Sequence, residues 1–163
     1  MRHPVNSARR RSFDGAIILR MHSLPAALIA AAISIALGQF WKFVSPLFVG
    51  KAPALHGIFQ SGGMPSSHTA AVASMALLGG LREGFNSSFF ALSAVFTAIV
   101  VHDAIKVRGA ISKIIKLLRK TIPPDILEME GGLPSTIGHT YAEVFAGLIM
   151  AVMVAFLCNW ILP

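Results

Sequence analysis

The sequence predicts an all-α, polytopic membrane helical bundle with about four transmembrane helices and an amphipathic helix in the third loop. Three observations predict it. Charged residues make up 13% of the 163 positions and apolar residues 55%, against about 25% charged in soluble domains. The apolar residues are gathered into uncharged blocks at 24–41, 69–81, 86–101 and 144–163. About 20 apolar residues cross a bilayer, and shorter runs serve where an end lies in a polar, protein-lined site. Small residues recur at four-residue spacing, as Ala30, Ser34 and Gly38 in the first block and Gly147 and Ala151 in the last, which allows helices to approach closely in lipid.

Residues 1–20 read as a basic arm carrying Arg2, Arg9, Arg10, Arg11 and Arg20, and 21–163 as a single membrane domain. The apolar stretch behind the arm is longer than a signal-peptide core and shows no small-residue cleavage site, so a retained first helix is expected. A transit peptide, against which Asp14 counts, and a true start at Met21 are the alternatives. Trp41 and Trp160 stand near block ends, as interfacial aromatics do. Loop one covers roughly 42–63. Loop two is the short 82–87, with Asn86-Ser87-Ser88 as a cap for the third helix. Loop three, roughly 102–138, is long enough to expect a function. Within it Ile111, Ile114, Ile115, Leu118 and Ile122 share one helical face, and Lys113, Lys116 and Lys120 another. That pattern fits a helix lying on anionic headgroups and, equally, an ordinary helix packed on the bundle. The single Cys158 excludes a disulfide framework and a thiolate metal site, and reads as a small core residue.

The chemistry is concentrated at 61–69, Ser-Gly-Gly-Met-Pro-Ser-Ser-His-Thr. Gly62 and Gly63 let the backbone approach a ligand, and Pro65 is expected in the first helical turn. The unpaired N–H groups of that turn favour an anion such as phosphate. His68 adds a group that moves a proton near neutral pH. A Gly-Pro turn with an incidental histidine is the equal alternative for this stretch alone. With four spans, loops one and three share a membrane face, so His68 and His139 start helices at the same surface. His139 and Glu143 lie four apart and share a helix face. The carboxylate can then fix the imidazole tautomer and leave the other nitrogen basic.

These residues resemble the divergent branch of the type-2 phosphatidic acid phosphatase family, relatives of the vanadium-dependent haloperoxidases. The resemblance runs from about Leu24 to the C-terminus. It rests on Gly-Gly-Met-Pro-Ser-Ser-His at 62–68, Leu-Arg-Glu-Gly-Phe at 81–85, Asp103 with Val107-Arg108, and Gly138-His139 with Glu143, Ala146 and Gly147. It implies that His68 is the general acid on the leaving oxygen and that His139 attacks phosphorus to form a phosphohistidine. Glu143 replaces the family's orienting aspartate. Ser66 matches the phosphate-binding serine, and Ser67 replaces a glycine. The implied reaction needs no metal and no cofactor.

The sequence also departs from the wider family. Its first motif, Lys-x6-Arg-Pro, has no counterpart, and the third-motif arginine falls on Leu133. No arginine lies between Arg20 and Arg82, although bidentate arginines are the usual clamp on a transferring phosphoryl group. Lys42 and Lys51 are the available stand-ins. Arg108, positioned by Asp103, is the best substitute; a helix-end ion pair is the equal alternative. With Gly63, Ser66 and Ser67, these complete the expected substrate-binding set.

The resulting expectation is a metal-independent, acid-phosphatase-like hydrolase of a lipid phosphate monoester or pyrophosphate. The alternative is a non-catalytic protein of the same fold that binds a phosphorylated lipid or a partner protein. Membrane lipids are expected partners and nucleic acid is not; a homo-oligomer is left open. The expected location is a bacterial plasma membrane, with an organellar membrane as the alternative. Lys and Arg are nearly balanced between the two faces if the arm is retained. They favour a cytoplasmic site if Met21 is the start.

Overall fold

The computed structural model describes residues 26–50, 63–123, 126 and 137–162. The basic arm, Lys51 and Gly62, with Asp125, Glu128 and Glu130 of loop three, lie outside the described residues. Helix α1 covers 26–44 and tightens into a 3-10 turn, Ser45–Val49. Then follow α2 (Ser67–Glu83), α3 (Ser88–His102), a one-turn π segment (Asp103–Val107), α4 (Arg108–Thr121) and α5 (Tyr141–Ile161). Among the described residues, three stretches are long and apolar enough to cross a membrane: Ala26–Phe48, the continuous Ser88–Thr121, and Tyr141–Ile161. The 17 residues of α2 rise about 25 Å, somewhat less than the ~30 Å hydrocarbon layer.

Helix α2 is nevertheless the hub. It packs against α5 and α3, and the Ser34 hydroxyl of α1 donates to Ser74 at 2.9 Å. Arg82, at its far end, donates to the carbonyls of Cys158 and Leu162 at 3.3 and 2.7 Å, so α2 ends where α5 ends. The helices therefore run up and down. The end of α1, the starts of α2 and α5, and the end of α3 gather at the opposite pole.

The core follows from the solvent. Lipid gives no hydrophobic drive between helices, so packing depends on small residues that let backbones meet. Ala26, Ala30, Ala70, Leu78, Met150, Val154, Ala155 and Cys158 form the central cluster, while Leu28, Phe96, Phe145 and Phe156 face outward. Gly38 abuts Ser67, and Gly147 abuts the backbone oxygen of Ser66. The four-residue spacing of small side chains is thus where α1 and α5 close on the start of α2.

The helix ends agree with the sequence in some places and correct it in others. Ser87 caps α3, its hydroxyl accepting from Phe90 N–H at 3.2 Å. Pro65, however, is not in the first turn of α2. Ser66 is the N-cap, held in extended conformation, and its N–H donates to the Glu143 carbonyl at 3.0 Å. That bond keeps Ser66 out of the helix and leaves Pro65 before the cap. The expected loop at 102 is helix as well. Charge at Asp103, Lys106 and Arg108 ends the apolar block without ending the helix, which continues through the π turn to Thr121. At about 50 Å, Ser88–Thr121 outruns the hydrocarbon layer, so its lysine-rich end lies beyond it. Of the amphipathic face of α4, only Ile115 is buried; Ile111, Ile114 and Leu118 are exposed. Among the described residues, nothing covers most of that apolar face.

Candidate active site

The pole where four helix ends meet holds most of the sequence-predicted site. His139 lies just before the N-cap of α5, two residues earlier than a first-turn position. Its side chain is 3% exposed, and Nδ1 lies 2.9 Å from Glu143 Oε2. The same oxygen accepts the Thr140 N–H at 3.0 Å, while the Glu143 N–H donates to Thr140 Oγ1 at 3.3 Å. This reciprocal arrangement is a capping box. Glu143 therefore caps the helix and orients the histidine at once. With the proton on Nδ1, Nε2 is left as the basic nitrogen.

Ser66 and Ser67 are buried, and His68 is exposed. The Ser66 hydroxyl donates to Thr69 Oγ1 at 2.9 Å. Ser67 Oγ is buried without a hydrogen-bond partner among the described residues. Gly63, at φ 90°, takes the left-handed conformation that favours glycine. His68 stands ahead of the apolar block of α2, and its pKa is lowered from the ordinary histidine value. Loss of water to the surrounding protein is the main cause, followed by Arg108, Lys42 and His139. These same interactions show that α1, α2, α4 and α5 bring their polar residues within electrostatic reach of one another. Lys42 is also within reach of Glu143. The structure thus gathers Lys42, His68, Arg108, His139 and Glu143.

The π turn supplies what the sequence did not reveal. In an α-helix the Arg108 N–H would bond to the Ala104 carbonyl; here it bonds to that of Asp103. The wider turn stacks residues five apart, and Arg108 Nε donates to Asp103 Oδ2 at 2.7 Å. It also leaves the Ala104 carbonyl to accept the His139 N–H at 3.1 Å. One turn later, Ser112 Oγ accepts from the Gly138 and Ile137 N–H groups at 2.9 and 3.3 Å. Gly138 sits directly on the Arg108–Gly109 backbone, where a Cβ would meet atoms at 2.7 Å. Ala104, Ser112 and Gly138 therefore set where His139 stands. The glycine before the histidine was the one available sequence signal. The Asp103–Arg108 pair is about 40% exposed, so it adds little stability; it holds the guanidinium beside the π turn.

Among the described residues, no three His, Cys, Asp or Glu side chains come together as a metal site. His102 is exposed, and Arg82 lies at the opposite pole.

Fold and site together define a multi-span helical membrane protein with two histidines, a carboxylate and two cations at one pole. A model of the Divergent PAP2 family matches residues 24–154, and the chain belongs to that family. It is 29% identical over 140 residues to YuiD of Bacillus subtilis (strain 168), described as an uncharacterized membrane protein. That alignment covers 77% of this chain and 89% of the relative. No solved structure matches the chain. The apolar helices and this relative support an integral membrane protein of bacterial kind.

Proposed function

We propose that this protein hydrolyses a lipid phosphate monoester or pyrophosphate through a phosphohistidine on His139. The observation that carries the reading is the buried His139 paired with the half-buried Glu143, 2.9 Å apart, with His68, Lys42 and Arg108 gathered at the same pole. His139 Nε2 attacks phosphorus as the P–O ester bond breaks, and His68 gives its proton to the leaving oxygen. Glu143 stabilises the imidazolium-like nitrogen. Water then attacks phosphorus, losing its proton to His68 as the P–N bond breaks, and free phosphate departs with His139 restored. Lys42 and Arg108 neutralise charge on the phosphoryl oxygens in place of the family's arginines. Vanadate, a mimic of five-coordinate phosphorus, is expected to inhibit.

The carboxylate's two tasks can be separated. Glu143→Gln keeps an oxygen able to accept the Thr140 N–H but removes the charge facing His139. Turnover is expected to fall on the order of 10²–10⁴-fold, while the thermal unfolding temperature in detergent changes little. A loss of stability matching the loss of turnover would reduce Glu143 to a cap.

The lowered pKa of His68 gives a pH dependence of definite sign. The general acid must be protonated, so kcat/KM is expected to fall as pH rises through a value below the ordinary ~6.5 of histidine. His68→Ala should flatten that limb for a substrate with a poor leaving group. The stability linkage has the opposite sense. The folded-state pKa is depressed, so the stability contribution is complete above ~6.5 and is lost as pH falls through the folded value.

Phosphate release from a panel of lipid phosphates tests the function directly. Binding of those lipids without turnover, unchanged by His139→Ala, would favour the non-catalytic alternative.

A further inference from the structure

A cavity of about 420 Å³ opens beside the site, between α1 and α5 and beneath the Met64–Pro65 turn. Leu37, Phe40, Trp41, Met64, Ala146 and Met153 are among its walls, which are apolar throughout. Its position along the chain is the informative point. Trp41 immediately precedes Lys42, Pro65 immediately precedes Ser66, and Ala146 is one turn after Glu143. Groove and site are thus successive positions on the same three elements. A lipid whose phosphate lay among Lys42, His68, Arg108 and His139 would therefore have its chain next to the groove. Phe40, Trp41, Met64 and Met153 are half or more exposed on the outer surface of the bundle, so a chain already in the membrane can enter sideways. The methionine walls are unbranched and adaptable, suited to hydrocarbon of irregular shape.

We propose that this groove binds the hydrocarbon chain of the lipid whose phosphate monoester occupies the site. The proposal rests on the phosphate-site reading above and adds the part of the substrate that reading leaves open. Any lipid-facing groove holds some bulk lipid. What marks this one is that occupancy depends on a phosphate monoester on the same molecule.

The test exploits the two tryptophans of the chain. Trp41 lines the groove, and Trp160 lies at the far end of α5, 84% exposed. In a Trp160→Phe background, Trp41 fluorescence is titrated in phosphatidylcholine nanodiscs. The probes are a non-hydrolysable phosphonate analogue of phosphatidic acid with brominated chains, and brominated phosphatidylglycerol, an anionic diester. The phosphonate is expected to half-quench at a mole fraction roughly tenfold lower, the preference expected from about one additional charge-assisted hydrogen bond to its head group. Ala146→Phe, which fills the groove, should abolish that preference. Phe40→Ala, which opens a wall at an exposed position, should reduce it even if Ala146→Phe fails to fold. Equal quenching by the two lipids overturns the proposal, as does a preference that survives both substitutions. A tail-less, water-soluble monoester separates this proposal from the proposed function. Its hydrolysis, with no quenching preference, leaves the phosphatase and removes the groove. A preference with no turnover of any monoester keeps the groove and removes the phosphatase.

Discussion

His139→Ala is expected to lower phosphate release by about three orders of magnitude or more, the scale of losing a covalent nucleophile. The fold should survive it. Glu143 Oε2 still accepts the Thr140 N–H at 3.0 Å, so the start of α5 remains capped and the cost is about one buried hydrogen bond, 1–3 kcal/mol. A comparison with His68→Ala assigns the two roles. A p-nitrophenyl leaving group departs without needing a proton, so His68→Ala should still become phosphorylated by p-nitrophenyl phosphate. The acid-labile phosphoprotein should then build up, because no base assists its hydrolysis. His139→Ala should form none. Normal turnover in His139→Ala, or a phosphoprotein that survives its loss, would remove the nucleophile assignment.

The sequence exposed this much of the site because its elements are local. Glu143 follows His139 by four residues, and the Gly-x-Pro-Ser-Ser-His start of α2 is contiguous, so each half is legible as a string. Joining them needed only the alternation of spans. Lys42 and Arg108 were named only as stand-ins for absent arginines, out of several cations in loops one and three, so the string of residues alone did not single them out. The π turn was not readable. Nothing in Asp103–Val107 distinguishes a five-residue turn from an α turn, because the extra residue is fixed by packing against Gly138 and His139. Ser112 was hidden for the same reason: its partners are backbone N–H groups 25 and 26 residues away. The fold shows the same division. Apolar blocks predicted the membrane helices, yet the charge that ends the third block near residue 102 does not end its helix.

Gly147 is where fold and chemistry meet most tightly, and Gly147→Ala is expected to damage both. A Cβ there would lie 2.6 Å from the backbone oxygen of Ser66, well inside the ~3.5 Å of an ordinary contact. The neighbour is backbone, so no side-chain rotation relieves the clash. Retreat of the Ser66–Ser67 segment is opposed by α1, which passes so close at Gly38 that an added Cβ there would lie 2.8 Å from Ser67 Cβ. Helix α5 must therefore move off the start of α2 by nearly 1 Å, at a cost of about 1–3 kcal/mol. The same displacement breaks or lengthens the Ser66 N–H bond to the Glu143 carbonyl, which ties the histidine-bearing starts of α2 and α5 together. A misplacement of that size is worth on the order of 10²-fold in rate, so turnover should fall further than stability alone explains. Gly109→Ala is the matched control. Among the described residues, no atom outside that glycine's own stretch of helix lies within 4 Å of its Cβ position, so alanine is expected to stabilise by roughly 0.5–1 kcal/mol and leave turnover unchanged. Thermal unfolding and turnover measured on both variants decide the matter. If Gly147→Ala unfolds earlier yet keeps full activity, the approach of α5 to Ser66 serves packing only. If it loses activity at a temperature where it is fully folded, the glycine holds the acid and the nucleophile at working distance.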